Sequence, residues 1–129
     1  MSASLTPKSQ RTIFIIDDDK DMVQLNQLLL EYHGYKVVSA SSGKEALHLL
    51  NRIQSPDLIL LDYHLQDMLG PEFLKVLEKV NSQLIRKVPI VFLTARSEVP
   101  DTSAVGYIQK TSDMDGFLRR VDKFISMSV

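Results

Sequence analysis

Thr12–Ile16 is a run of β-branched and aromatic residues with no polar alternation, the pattern of a strand buried on both faces. It stops abruptly at Asp17, Asp18 and Asp19. A sheet built from such strands must be covered on both sides, and the chain supplies the covering elements in turn. Met22, Leu25, Leu28, Leu29 and Tyr32 follow helical spacing as far as Gly34, a residue suited to the left-handed position that closes a helix. A second strand is expected at 35–40, followed by a helix with Ala46, Leu47, Leu50 and Ile53 on one face that ends before Pro56. A third strand at 58–61 leads into a polar loop. The helix after it starts at about Pro71, with Phe73, Leu74, Val76, Leu77 and Val80 on its inner face. Pro89 precedes a fourth strand at 90–93, a fifth is expected at 104–108, and Phe117, Leu118, Val121, Phe124 and Ile125 mark a last amphipathic helix.

Strands alternating with helices predict an α/β fold with a parallel sheet, because each right-handed crossover lays a helix over the sheet. At 129 residues the chain fits one domain, expected over 11–127 behind a flexible leader at 1–10. In such sheets ligands bind beyond the carboxyl ends of the strands. The residues there are few and polar: Asp17, Asp18 and Asp19 after the first strand, Asp62 after the third, Thr94 after the fourth and Lys110 after the fifth.

Three carboxylates converging at one edge raise one another's pKa unless a cation sits among them, and an all-oxygen donor set suits a hard ion such as Mg²⁺. Beside such a metal a carboxylate can attack a phosphoryl donor, which makes Asp62 the candidate nucleophile. Lys110 would supply an ammonium against the transferring oxygens, and the Thr94 hydroxyl a hydrogen bond. Ala95, being small, leaves the approach open.

Composition narrows the classes further. Fifteen basic residues against sixteen acidic give a formal charge of −1, so no general field draws the molecule onto DNA or an anionic bilayer. Cysteine is absent, excluding disulfides and thiolate chemistry, and the polar segment 1–10 has no signal-peptide core. No apolar run approaches the roughly 18 residues of a membrane span. A cytoplasmic protein is expected.

The segments Ile-Ile-Asp17-Asp18, Leu-Leu-Asp62, Phe-Leu-Thr94-Ala95 and Gly106-Tyr107-Ile-Gln-Lys110, with Gly70 eight residues beyond Asp62, resemble the receiver domain of response regulators from about Thr12 to Ile125. The resemblance implies a flavodoxin-like, doubly wound sheet of five parallel strands in the order 2-1-3-4-5. It implies Mg²⁺ held by the Asp18 and Asp62 carboxylates and the backbone carbonyl of His64, with Asp17 acting mainly through water. It implies a phosphoryl donor that is the phosphohistidine of a histidine kinase or phosphotransfer protein. It also implies a switch in which Thr94 and Tyr107 move together, altering affinity for a target protein bound in trans. Such a molecule is no enzyme beyond assisting its own phosphorylation and dephosphorylation, binds no DNA or membrane directly, and is expected as a monomer or weak dimer.

Three departures from the family pattern bear on this expectation. Only sixteen positions lead from Thr94 to Lys110, so the fourth family helix is expected to be short or irregular. Thr111 follows Lys110 where the family has a proline in a cis bond, and Gln66 stands where a proline follows the acceptor loop. His64 and Arg96, each two residues beyond a reacting group, predict shielding of a phosphoaspartate from water.

Other readings compete. Carboxylates at a helix start also act as caps, the preferred role for Asp19. Tyr107 also fits a half-buried strand aromatic, and His33 and His48 need no functional account. Asp17-x-Asp19 is also the signature of haloacid-dehalogenase hydrolases, but Asp21 replaces the expected threonine or valine and no cap domain fits the length. The serious alternative is a receiver-like scaffold that takes no phosphate.

Overall fold

Buried parallel strands need helices on both faces, and that is the arrangement seen in a computed structural model, which describes residues 7–95, 104, 106–110 and 113–128. The elements run β1 (Thr12–Ile16), α1 (Lys20–Tyr32), β2 (Lys36–Ala40), α2 (Gly43–Leu50), β3 (Leu58–Asp62), α3 (Gly70–Val80), α4 (Ser82–Lys87), β4 (Ile90–Thr94), β5 (Gly106–Gln109) and α5 (Met114–Ile125). Every pairing is parallel and the order is β2-β1-β3-β4-β5, as expected for the flavodoxin-like class.

Successive residues of each strand point to opposite faces, which is why apolar side chains are needed at every position. Phe14, Ile16, Ile59, Leu61 and Phe92 pack beneath α2, α3 and α4 with Ala46, Leu50, Phe73, Leu77 and Leu84. Ile13, Ile15, Leu60, Val91, Leu93 and Ile108 pack on the other side against Leu30 of α1 and Phe117, Val121 and Ile125 of α5. The register sets Ile16 beside Leu61, Asp62 beside Leu93, and Thr94 beside Gln109. The polar residues ending β1, β3, β4 and β5 therefore share one edge.

Two expectations about helix faces are corrected. On α1 the sheet takes Asn26 and Leu30, 7 % and 0 % exposed, whereas Leu25, Leu28 and Tyr32 are 45 %, 65 % and 95 % exposed. Leucines occupy both candidate stripes, so spacing alone could not choose the phase. On α3 the inner face is Phe73, Leu74 and Leu77; Val76 and Val80 are exposed. The fifth strand starts at Gly106 rather than Ala104, because pairing begins where Gly106 meets Val91. The unforeseen α4 is capped by Asn81, whose side chain accepts a hydrogen bond from the Leu84 N–H.

Gly34 has φ of 110°, the left-handed closure expected of it. Within the expected leader, Lys8–Gln10 form one 3₁₀ turn. Lys8 Nζ lies 2.9 Å from His33 Nε2, which in turn is 3.0 Å from Asp122 on α5. The Tyr35 hydroxyl donates to the same carboxylate at 2.5 Å. Burial alone would raise the Asp122 pKa, but the Tyr35 and His33 hydrogen bonds and the charges of His33 and Lys8 outweigh it and hold the carboxyl below its ordinary value. Residues 96–103, including Arg96 and most of the region expected to hold a short fourth family helix, lie outside the described residues, as does Thr111. Among the described residues no helix is long and apolar enough to cross a membrane.

Candidate functional site

Asp17 continues the line of β1: its N–H donates to Ala40 O at 3.1 Å, so its side chain is placed by the sheet itself. The residue is 1 % exposed. Oδ1 accepts the Asp19 N–H at 3.0 Å, while Oδ2 has no hydrogen-bond partner among the described residues. Asp19 turns the other way and caps α1, accepting from the Asp21 and Met22 N–H groups.

Asp62, the last residue of β3, is 6 % exposed. Its Oδ1 accepts the His64 N–H at 3.2 Å and its Oδ2 lies 3.3 Å from Lys110 Nζ. The same ammonium is 3.8 Å from Asp17 Oδ2. One oxygen from each of Asp17, Asp18 and Asp62 lies within 4.8 Å of the others. Three carboxylates thus face one ammonium. Burial, the largest effect, and the neighbouring Asp62 push the Asp17 carboxyl up to about 6, against the opposing pull of the Asp19 N–H and Lys110.

Thr94 ends β4, 3 % exposed, and its carbonyl accepts the Lys110 N–H at 2.6 Å. That bond fixes where the lysine leaves the sheet. Tyr107 pairs with Phe92 and is half-buried against the α3 and α4 side of the core. The structure therefore brings Asp17, Asp18, Asp62 and Lys110 together, with Thr94 at the neighbouring strand end. The His64 ring does not join the acidic cluster; it is exposed and packs on Tyr63 with centroids 5.1 Å apart.

The β3–α3 loop contains devices the sequence did not disclose. Asp67 accepts the Gly43 and Lys44 N–H groups at 3.0 Å each, capping α2 from across 24 and 23 residues of chain. Gly70 N donates to Tyr63 O at 2.7 Å, and a Cβ on Gly70 would lie 2.7 Å from a Phe92 ring carbon and 3.0 Å from Asp62 O. Glycine is needed there because α3 begins directly against the strand that carries Asp62. Local spacing gives no sign of the Asp67 bonds.

A buried carboxylate oxygen with no hydrogen-bond donor among the described residues, set among other carboxylate oxygens with one ammonium 3.8 Å away, fits a hard divalent cation: it would supply the missing partner and discharge the mutual repulsion.

The chain matches the Response regulator receiver domain family over residues 13–122. It is 30 % identical over 122 residues to the transcriptional regulatory protein GlrR of Escherichia coli, covering 90 % of this chain and 26 % of that protein. It is 28 % identical over 120 residues to the response regulator SaeR of Staphylococcus aureus, covering 88 % and 50 %. The chain spans about a quarter to a half of the length of these relatives. Among solved structures, response regulator TrrA of Thermotoga maritima, determined in complex with Mg(2+)-BeF, superposes with a TM-score of 0.77 at 25 % identity, covering 89 % of this chain and 99 % of that one. The chemotaxis response regulator CheY4 of Vibrio cholerae shares the fold, with a TM-score of 0.78 at 24 % identity over 88 % and 98 % of the two chains.

Proposed function

The chain belongs to the response regulator receiver family, and on that premise we propose that Asp62 is its phosphoacceptor, taking a phosphoryl group from the phosphohistidine of a histidine kinase or phosphotransfer protein in the cytoplasm. The observation that carries this reading is the position of Asp62 Oδ2, on a buried carboxylate 3.3 Å from Lys110 Nζ and within the Asp17, Asp18 and Asp62 cluster.

An Asp62 carboxylate oxygen forms the new bond to phosphorus as the donor's N–P bond breaks, giving an acyl phosphate and freeing the imidazole. Lys110, held by its backbone bond to Thr94, keeps its ammonium beside the acceptor, where it offsets negative charge on the phosphoryl oxygens. The Thr94 hydroxyl, at the next strand end, donates a hydrogen bond to one of those oxygens. Asp17 and Asp18, together with Asp62 and the His64 carbonyl, would hold Mg²⁺, which when bound neutralises the oxygens of the incoming group. His64, exposed in the loop after Asp62, restricts the approach of water to the acyl phosphate.

Output follows from Thr94 and Tyr107. A phosphoryl group that draws the Thr94 hydroxyl favours the packing in which Tyr107 sinks further toward Phe92, so that phosphorylation shifts a two-state population and with it the affinity for a target protein.

Intact mass after incubation with acetyl phosphate and Mg²⁺ tests the reading. A single phosphoryl adduct is expected for the wild type, and none for Asp62→Asn or after chelation. An unmodified wild-type protein with a folded circular-dichroism spectrum would overturn the reading in favour of a phosphate-independent scaffold.

A further inference from the structure

The corrected phase of α1 buries an asparagine. Asn26 is 7 % exposed, and its side-chain amide has no hydrogen-bond partner among the described residues. Leucines stand at positions 25, 28, 29 and 30 around it, so the helix carries an amide in place of an apolar side chain at the position that turns inward. An amide that finds no partner among the described residues is left to water or to a ligand in the space it opens onto.

The amide lines a cleft of about 250 Å³ between α1 and α5, over the ends of β4 and β5. Leu29, Leu93, Ile108 and Phe117 form its apolar walls, and Lys110 contributes to one side. The Lys110 ammonium is engaged with Asp62 and Asp17, so the cation is directed to the acidic site and the cleft is left with a neutral polar group, the Asn26 amide, among the apolar walls. Gln109 and Met114, both exposed, stand at its rim.

We propose that this cleft is a binding site for a small neutral molecule with an apolar, ring-sized body and one hydrogen-bonding group, read by Asn26. The volume sets the size: an apolar cavity of about 150 Å³ takes benzene, so this one accommodates a two-ring body. Neutrality follows from the absence of a free charged partner among the described lining residues. The single polar contact follows from Asn26, whose carbonyl accepts from, or whose amino group donates to, the ligand's one polar atom. The cleft shares Lys110 with the acidic site, but its existence does not depend on Asp62 being phosphorylated.

Indole, with two fused rings and one N–H, is a suitable probe, and indene is its counterpart without the donor. In a ¹H–¹⁵N and methyl NMR titration of the whole chain, indole produces saturable shifts in the Asn26 side-chain amide and in the Leu29 and Ile108 methyl groups. Asn26→Leu, close in size and apolar, weakens indole by about fivefold, the worth of one net hydrogen bond, and leaves indene binding equal or tighter. Leu29→Phe fills the cleft and abolishes binding of both, with the amide spectrum showing that the fold is retained. The proposal is overturned if the folded wild type gives no saturable shifts, as a cleft that only receives a protein side chain would. It is overturned equally if the shifts lie elsewhere, or if Asn26→Leu weakens indole and indene alike.

Discussion

Replacing Asp17 by asparagine should stabilise the metal-free protein, although it alters a residue buried at the centre of the acidic cluster. Asparagine keeps the Oδ1 acceptor for the Asp19 N–H and removes the charge from the oxygen that has no hydrogen-bond partner among the described residues. The Asp17 pKa rises from 3.8 to about 6 on folding, chiefly through burial. A shift of about two units corresponds to about 3 kcal/mol against the ionised form. Coupling to Asp62 and Lys110 shares that energy among three groups, so a gain of about 1–3 kcal/mol is expected at pH 7.5 in chelator. At roughly 4 °C per kcal/mol for a domain of this size, the midpoint should rise by roughly 4–12 °C. Because the folded pKa lies above the unfolded one, the Asp17 contribution favours folding below about pH 4 and is lost as pH rises through about 6. The advantage of Asp17→Asn should therefore vanish near pH 4 and be complete above pH 7. Mg²⁺ at a hundred times its dissociation constant should stabilise the wild type by about 2.7 kcal/mol and the variant far less, closing or reversing the gap. Thermal and urea unfolding in chelator and in Mg²⁺, from pH 4 to 8, measures all of this. A destabilised Asp17→Asn in chelator at pH 7.5, or a difference that does not change with pH, would refute the reasoning.

Further expectations follow from the surrounding geometry. Gly70→Ala forces a Cβ against the Phe92 ring and the Asp62 carbonyl, and should cost about 1–3 kcal/mol by urea denaturation, since neither neighbour is the free end of a flexible chain. Asp122, held below its ordinary pKa by the Tyr35 and His33 hydrogen bonds and by Lys8, contributes stability that is present above about pH 4 and lost as pH falls further. Asp122→Asn should therefore flatten the acid side of the stability profile, by no more than about 1 kcal/mol because the carboxylate is 38 % exposed. His64→Ala should speed loss of the phosphoryl group, followed by the decay of the adduct mass after the donor is removed; an unchanged rate would count against shielding by this side chain.

The strand order and the polar edge could be read from the chain because a strand buried on both faces is apolar throughout and gives way to polar residues at the sheet's edge. Asp17, Asp62, Thr94 and Lys110 each mark such a stop. The helix faces were less legible. On α1 apolar residues fill both stripes, and the one buried by the sheet contains Asn26, which a count of apolar spacings ranks against. The six-residue α4 is too short for periodicity to register, and only its Asn81 cap announces it. The Asp67 bonds to α2 and the meeting of Lys8, His33, Tyr35 and Asp122 join residues far apart in sequence, so no local pattern encodes them. The acidic cluster was foreseen as a set of residues, but that Asp17 Oδ2 meets no hydrogen-bond donor among the described residues depends on packing that only the fold reveals.

The central claim, that Asp62 itself receives the phosphoryl group, is tested most directly by treating the phosphorylated protein with borohydride, which reduces an acyl phosphate of aspartate to homoserine, and then mapping the product by peptide mass spectrometry. The account predicts homoserine at position 62 alone, dependent on both phosphodonor and Mg²⁺. Reduction at another carboxylate, or an adduct that survives in Asp62→Asn, would contradict it.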